Sequence, residues 1–357
     1  MPQSWLTESS GLSRHRAPSS ESSLDTRLAE PDGATIGALG AVDGDVLVLG
    51  AGGKMGPSLA RMAHQALART TPDGPRRRVI AVSRFGDRDT ILELQSHGIE
   101  TIRAELSDPR AVAALPTVAN VLWMAGQKFG TTGDPVGTWT QNVVASVHAA
   151  ERFSGSRIVC FSTGNVYGPT AVSAGGSREG DALVPDGEYA ASCVGRERVF
   201  ESVARRTASP LLLYRLFYAC DLRYGVVTEI ALKVLRGERV SLTTGYANVV
   251  WQGDANRLAL RALSLAATPV VALNVTGPIV SVREIAERIG HIADVTPMFE
   301  GIEGSDALIA NTDRLAQALP HSALPLDTLC AWAVAWIRHG GRLLSKPTKF
   351  EVRDGRF

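Results

Sequence analysis

Cysteine is scarce in this chain. Its 357 residues include 4 cysteines, Cys160, Cys193, Cys220 and Cys330, all far apart and none in a C-x-x-C pair. That spacing argues against a zinc site or a disulfide framework, so no metal is expected and a reducing, cytoplasmic setting fits. Excess charge of either sign is also missing. A formal net charge of +1 gives no basic surface for nucleic acid and no acidic face for a basic partner. Long apolar runs are absent too. The longest, such as "SPLLLYRLFYAC", are too short and too interrupted to span a bilayer, so no membrane is expected. The first residues, "MPQSWLTESSGLSRHRAPSSESS", lack the apolar core of a secretory signal. Glu8 and Glu21 weaken a transit-peptide reading, and residues 1–30 are expected to be a disordered tail.

Alternation is what the chain does have. From Asp45, short runs rich in Val, Ile and Leu alternate with helical patterns. "DVLVLG" (45–50), "RVIAVSR" (78–84), "IETIRAEL", "NVLWMAG" (120–126), "RIVCFSTG" (157–164), "PLLLYRLFYA" and "VVALNVTG" read as strands. The segments between them read as helices, including one from Glu188 to Arg206. Continuously apolar strands separated by helices predict an α/β fold with a Rossmann-type, doubly wound parallel sheet. After Cys220 the rhythm changes to helices between irregular loops. The expected organisation is a nucleotide-binding domain over 31–220 with a return segment at about 251–277. A smaller, mainly helical lobe over 221–250 and 278–357 would face the substrate.

"VLVLGAGGKMGPSLARMA" places a glycine turn between the first strand and the first helix. Gly50, Gly53 and Gly56 stand at three-residue spacing, with Gly52 extra and with Lys54 and Met55 inside the turn. Such a turn lets backbone N–H groups approach a pyrophosphate, and the helix N-terminus adds positive dipole. An isolated glycine triplet says little; after a first strand and before a helix it predicts a dinucleotide site. The second strand ends in Ser83 and Arg84, not in the Asp or Glu that would hold the ribose hydroxyls of NAD. The planar fork of Arg84 suits a 2′-phosphate, which favours NADP over NAD; stacking on adenine or plain solvation are the other roles open to it. "ELSD" (105–108), with Leu106, would border the adenine.

At these residues the chain resembles the extended short-chain dehydrogenases/reductases, the family of NAD-dependent epimerases and dehydratases. The resemblance covers most of residues 45–290. It is carried by Gly50, Gly53 and Gly56, by "CFSTGNVYGP" (160–169), and by "EYAASCVGRE" with Tyr189, Ser192 and Glu197 in register. Tyr189 follows Tyr167 by 22 residues, the family's separation. The resemblance implies that Tyr189 exchanges a proton with a substrate oxygen and that Thr163 hydrogen-bonds that oxygen. It implies that Asn142 holds backbone or water in the proton path, and that Ala125 and Gly126 border the cofactor with the residue at 193. It also implies a lysine at 193, where this chain has cysteine.

That lysine would bind the nicotinamide ribose and lower the proton affinity of the tyrosine, an otherwise poor base near neutral pH. Two cations are candidates to stand in for it. Lys128 follows the fourth strand, where it is a substitute cation or a loop or substrate lysine. Arg196 lies one turn beyond Cys193, reaching the same region or pointing away. Cys193 itself is a packing residue or a reactive thiol. Thr131, Thr132, Arg223, Tyr224 and Trp251, with Gln252, are the candidates to hold a small, anionic or polyhydroxylated substrate, such as a sugar nucleotide or sugar acid. Helices 138–153 and 188–206 would form a homodimer interface or pack within one chain. Two functions are compatible with these residues: an epimerase, dehydratase or reductase, and an NAD(P)-binding sensor or partner protein without that chemistry.

Overall fold

The computed structural model describes residues 16–70, 76–344 and 348–351. Five strands, β1 (Val46–Leu49), β2 (Val79–Ser83), β3 (Glu100–Arg103), β4 (Asn120–Trp123) and β5 (Arg157–Thr163), join Leu211–Leu216 and Val271–Val275 in one sheet. All its pairings are parallel, and across the sheet the order is β3, β2, β1, β4, β5, Leu211–Leu216, Val271–Val275. β1 and β4 are buried along their whole length, which is why both read as unbroken apolar runs. Helices Gly56–Thr70 and Gln252–Ala262 cover one face; Ala145–Arg152 and Gly187–Thr207 cover the other. This is the doubly wound α/β sheet expected from the alternation. The direction in which successive strands are added reverses between β1 and β4, so the ends of β1, β4 and β5 open onto one crevice.

The strand expected over "PLLLYRLFYA" divides in two. Leu211–Leu216 stays in the large sheet, while Tyr218–Cys220 pairs in parallel with Tyr246–Trp251 in the smaller lobe. Helices Val226–Leu235, Val282–Ala293 and Leu326–Arg338 pack around a separate apolar core there, with Ile230, Ile285, Trp332 and Phe350 inside it.

The expectation of a disordered tail is corrected from Arg16 onward; residues 1–15 lie outside the described residues. Ser20 caps a helix over Glu21–Leu28, whose Leu24 and Leu28 are buried in the lobe's core. The serine-rich composition hid an apolar pair at i and i+4, one stripe of a short helix. The turn that follows is tied down as well: Asn256 Nδ2 donates to the Leu28 carbonyl (3.1 Å) and Arg257 Nε to that of Glu30 (2.9 Å).

Among the described residues, no helix is long and apolar enough to cross a membrane. Leu28 is fully buried, so Leu28→Ala is expected to lower unfolding free energy by about 2–5 kcal/mol, read from urea denaturation.

Candidate active site

The glycine turn sits at the end of β1. Gly50 has φ +90°, a conformation that side chains strain, and an added Cβ there would lie 2.5 Å from the Ala125 nitrogen. At Gly56 a Cβ would run into the Ala51 backbone. Glycine is therefore required where the turn passes β4 and where the helix begins. Gly52 and Gly53 lie at the mouth of the turn, and Lys54 and Met55 line a cavity of about 180 Å³ beside it.

Thr163 and Tyr189 line the same cavity, with Lys128, Ser162, Tyr218 and Tyr224. Thr163 ends β5, and Tyr189 lies in the first turn of the Gly187–Thr207 helix. Thr163 and the Cys193 thiol both neighbour the Tyr189 hydroxyl. Burial raises the proton affinity of Tyr189 well above that of a free phenol; Cys193 adds to this and the charge of Arg196 opposes it. Burial likewise pushes the Cys193 thiol up, so it sits as a neutral thiol.

Lys128 comes from the loop after β4. Its Nζ lies 6.0 Å from the centre of the Tyr189 ring and donates to the Thr348 carbonyl at 3.3 Å. Burial pulls this ammonium down to about 8. Asn142 fixes the base of the loop. Its Nδ2 donates to the Gln127 carbonyl (3.0 Å) and to Ser192 Oγ (2.9 Å), and its Oδ1 accepts from the Gln127 N–H (2.7 Å). It sits in a π-helical stretch, Thr140–Val144, that widens one turn of its helix. Asn142 thus bonds the backbone of the loop after β4 at Gln127.

Behind the site, Glu197 and Arg215 form a buried bidentate pair (3.0 and 2.8 Å). Arg215 Nη1 also donates to the Tyr167 hydroxyl (2.6 Å), which donates to Asn274 Oδ1 (2.8 Å). The sequence marked Tyr167 and Glu197 but missed Arg215; its signal was a charged residue inside the apolar run "LLLYRLF".

The candidate residues divide by location. Lys128 and Tyr224 line the cavity, and Lys54 Nζ sits 3.0 Å above the Tyr224 ring. Thr131 is buried and Thr132 exposed, and neither lines it. Arg223 is turned to the mouth of the glycine turn, paired with Asp221 (2.8 Å) and Asp25 (2.9 Å). Trp251 is core: it is buried and packs edge-on against Trp332. Adjacent Gln252 reaches the cavity, because the strand ends at Trp251 and the helix begins at Gln252. Ala125 accepts a hydrogen bond from Arg196 through its carbonyl, and Gly126 lies against the same guanidinium. Leu106 is buried against the sheet. Arg84 is exposed and pairs with Glu105 at 3.4 Å. Thr348, in a C-terminal segment without a sequence signal, forms part of the wall. Glu229 accepts hydrogen bonds from the N–H and hydroxyl of Thr348, and Lys233 pairs with Glu351.

No family model and no curated protein matches the sequence. Solved structures do match the fold. MoeE5, in complex with UDP-glucuronic acid and NAD, is 23% identical, with 83% of this chain and 100% of that chain covered and a TM-score of 0.66. The UDP-glucose 4-epimerase of Thermus thermophilus, complexed with NAD, is 19% identical, with 82% and 99% covered and a TM-score of 0.63. The UDP-glucuronic acid 4-epimerase of Bacillus cereus is 15% identical, with 82% and 99% covered and a TM-score of 0.64. The chain therefore has the fold of these proteins over most of its length.

Removing the Glu197 carboxylate would leave the Arg215 guanidinium buried without its partner. Glu197→Ala is expected to cost about 3–5 kcal/mol of unfolding free energy, measured by urea denaturation.

Proposed function

We propose that this protein is an NAD(P)-dependent enzyme of the epimerase, dehydratase or reductase type, acting at a carbinol or ketone carbon of a small polar substrate. One observation carries the proposal: Thr163 and Tyr189 open onto a cavity that Lys54 and Met55 of the glycine turn also line. A protein that only binds a nucleotide has no chemical need of the paired hydroxyls. NAD in the fold's solved neighbours supports the cofactor class.

The residues present fit a dinucleotide. Gly52 and Gly53, without side chains, line the mouth of the turn and leave a diphosphate room to approach the N-terminus of the Gly56–Thr70 helix. Ser83 and Arg84 would border the adenosine ribose, and Lys128 the nicotinamide ribose. When bound, the nicotinamide supplies or accepts the hydride. In the proposed reaction Thr163 orients the substrate oxygen and Tyr189 moves the proton. Lys128, held by the Asn142-anchored loop, brings a cation close to the phenol. The preference for NADP read from Arg84 gains no support, since its partner Glu105 would oppose a 2′-phosphate.

The small lobe is assigned to the substrate, with Tyr224, Gln252 and Thr348 at the wall. Sugar nucleotides and sugar acids are the first compounds to test. Exposed Val136, Trp139, Val144 and Val147 support a homodimer through the helical stretch Pro135–Arg152. The four buried, unpaired cysteines are compatible with a cytoplasmic setting.

Titration with NADH and NADPH, followed by nicotinamide fluorescence, tests the proposal. Lys128 carries its charge below about 8 and loses it above. Wild-type affinity is therefore expected to fall as pH rises through about 8, and Lys128→Met is expected to be weaker below that point and flat across it. Binding of neither nucleotide would overturn the assignment. Tyr189→Phe is expected to keep cofactor affinity and to lose roughly 10²–10⁴-fold in hydride transfer, followed by nicotinamide absorbance. Intact binding with no turnover of any carbinol or ketone would point to a sensor or partner protein instead.

A further inference from the structure

Arg196 is an unusual arginine. It is 5% exposed, and among the described residues it forms no ion pair with a carboxylate. Nη1 donates to the Ala125 carbonyl (3.3 Å) and Nη2 to Cys193 Sγ (3.2 Å). Nε is buried with no hydrogen-bond partner. Its sequence neighbour Glu197 is engaged by Arg215. Burying a cation without an anion costs several kcal/mol, so such a charge is kept only where the surroundings hold it in place.

The surroundings are shaped around it. A Cβ on Gly126 would lie 2.7 Å from Nη1 and 2.8 Å from Asn142 Oδ1, so the guanidinium fits only beneath a glycine. At 193, the short cysteine side chain leaves the space the guanidinium fills. Cys193 Sγ accepts from Arg196 Nη2 and, one helical turn from Tyr189, neighbours the phenol hydroxyl. One sulfur links the buried charge to the phenol.

We propose that Arg196 is a positioning residue for Tyr189: its fixed, dry, carboxylate-free guanidinium supplies the positive charge that steadies the phenolate when Tyr189 gives up its proton. The inference rests on Tyr189 as the proton-transfer group. A preorganised charge in a water-poor site stabilises developing opposite charge far better than one in solvent. The groups facing this corner are Cys193 and Glu197 on the same helix, Cys160 on β5, and Lys128 from the loop after β4. Glu197 is offset by Arg215, and both cysteines are held as thiols by burial. Burial works against the charge of Arg196, yet the guanidinium keeps its proton. Arg196 and Lys128 thus differ in kind. The guanidinium is permanent, whereas the ammonium of Lys128 is lost above about 8.

The test replaces Tyr189 with 3,5-difluorotyrosine, whose phenol ionises far below that of tyrosine, and follows its titration by fluorine NMR. It is run in the full-length protein and in Arg196→Gln, Arg196→Met, Arg196→Lys and Lys128→Met backgrounds. Arg196→Gln keeps hydrogen-bond donors and removes the charge, which guards against a packing defect in Arg196→Met. Removing the charge is expected to raise the midpoint by at least about one pH unit, tenfold in proton affinity, and Arg196→Lys to restore most of it. A midpoint that stays put in a folded Arg196→Gln protein would overturn the inference. So would a shift in Lys128→Met alone. Cofactor titration of the same proteins separates the two proposals. Normal binding with an unmoved midpoint removes only the role of Arg196, whereas loss of all nucleotide binding in the wild type removes the functional assignment.

Discussion

The buried Glu197–Arg215 pair fixes the geometry on which the site depends. Glu197 belongs to the helix that carries Tyr189, and Arg215 to the strand beside β5. Their two hydrogen bonds therefore set how that helix lies against the sheet edge where Thr163 ends β5. Tyr167 and Asn274 extend the tie to the outermost strand. A rigid, fully satisfied polar network of this kind holds one packing arrangement, since any other would strand a buried charge. The Thr163–Tyr189 contact lies at the end of that chain of constraints.

The site then has an electrostatic problem with a divided solution. A buried phenol holds its proton tightly, and a neutral thiol stands where the family resemblance implies an ammonium. Lys128 approaches from the loop after β4 and Arg196 from the next turn of the helix. One is half-buried and titratable, and the other is buried and permanent. Asn142 and Gly126 hold these two arrivals in place, the first by bonding the loop and the second by lacking a side chain.

Described segments near both termini add to the Rossmann-type fold. The Glu21–Leu28 helix enters the small lobe's core and sets Asp25 against Arg223 at the mouth of the glycine turn. At the other end, Phe350 enters the same core and Thr348 reaches the cavity wall through Glu229. These contacts explain why Arg223 does not line the cavity and why Thr348 does.

The sequence by itself determined the sheet, the glycine turn and the Thr163–Tyr189 pair. Each is a local pattern: continuous apolar strands, glycine where the backbone must turn, and fixed spacing along one helix. Tertiary structure decided how Lys128 and Arg196 are placed around Tyr189. Lys128 is distant from Tyr189 along the chain and the packed loop brings it near; Arg196 shares the tyrosine's helix, and its side chain is held beneath the glycine at 126 and against Cys193. The same holds for Trp251 and Arg223. Sequence marks a tryptophan and an arginine as chemically able, but burial against Trp332 and pairing with Asp25 and Asp221 are contacts between distant segments. Periodicity records which face of an element is apolar; it does not record what that face will meet.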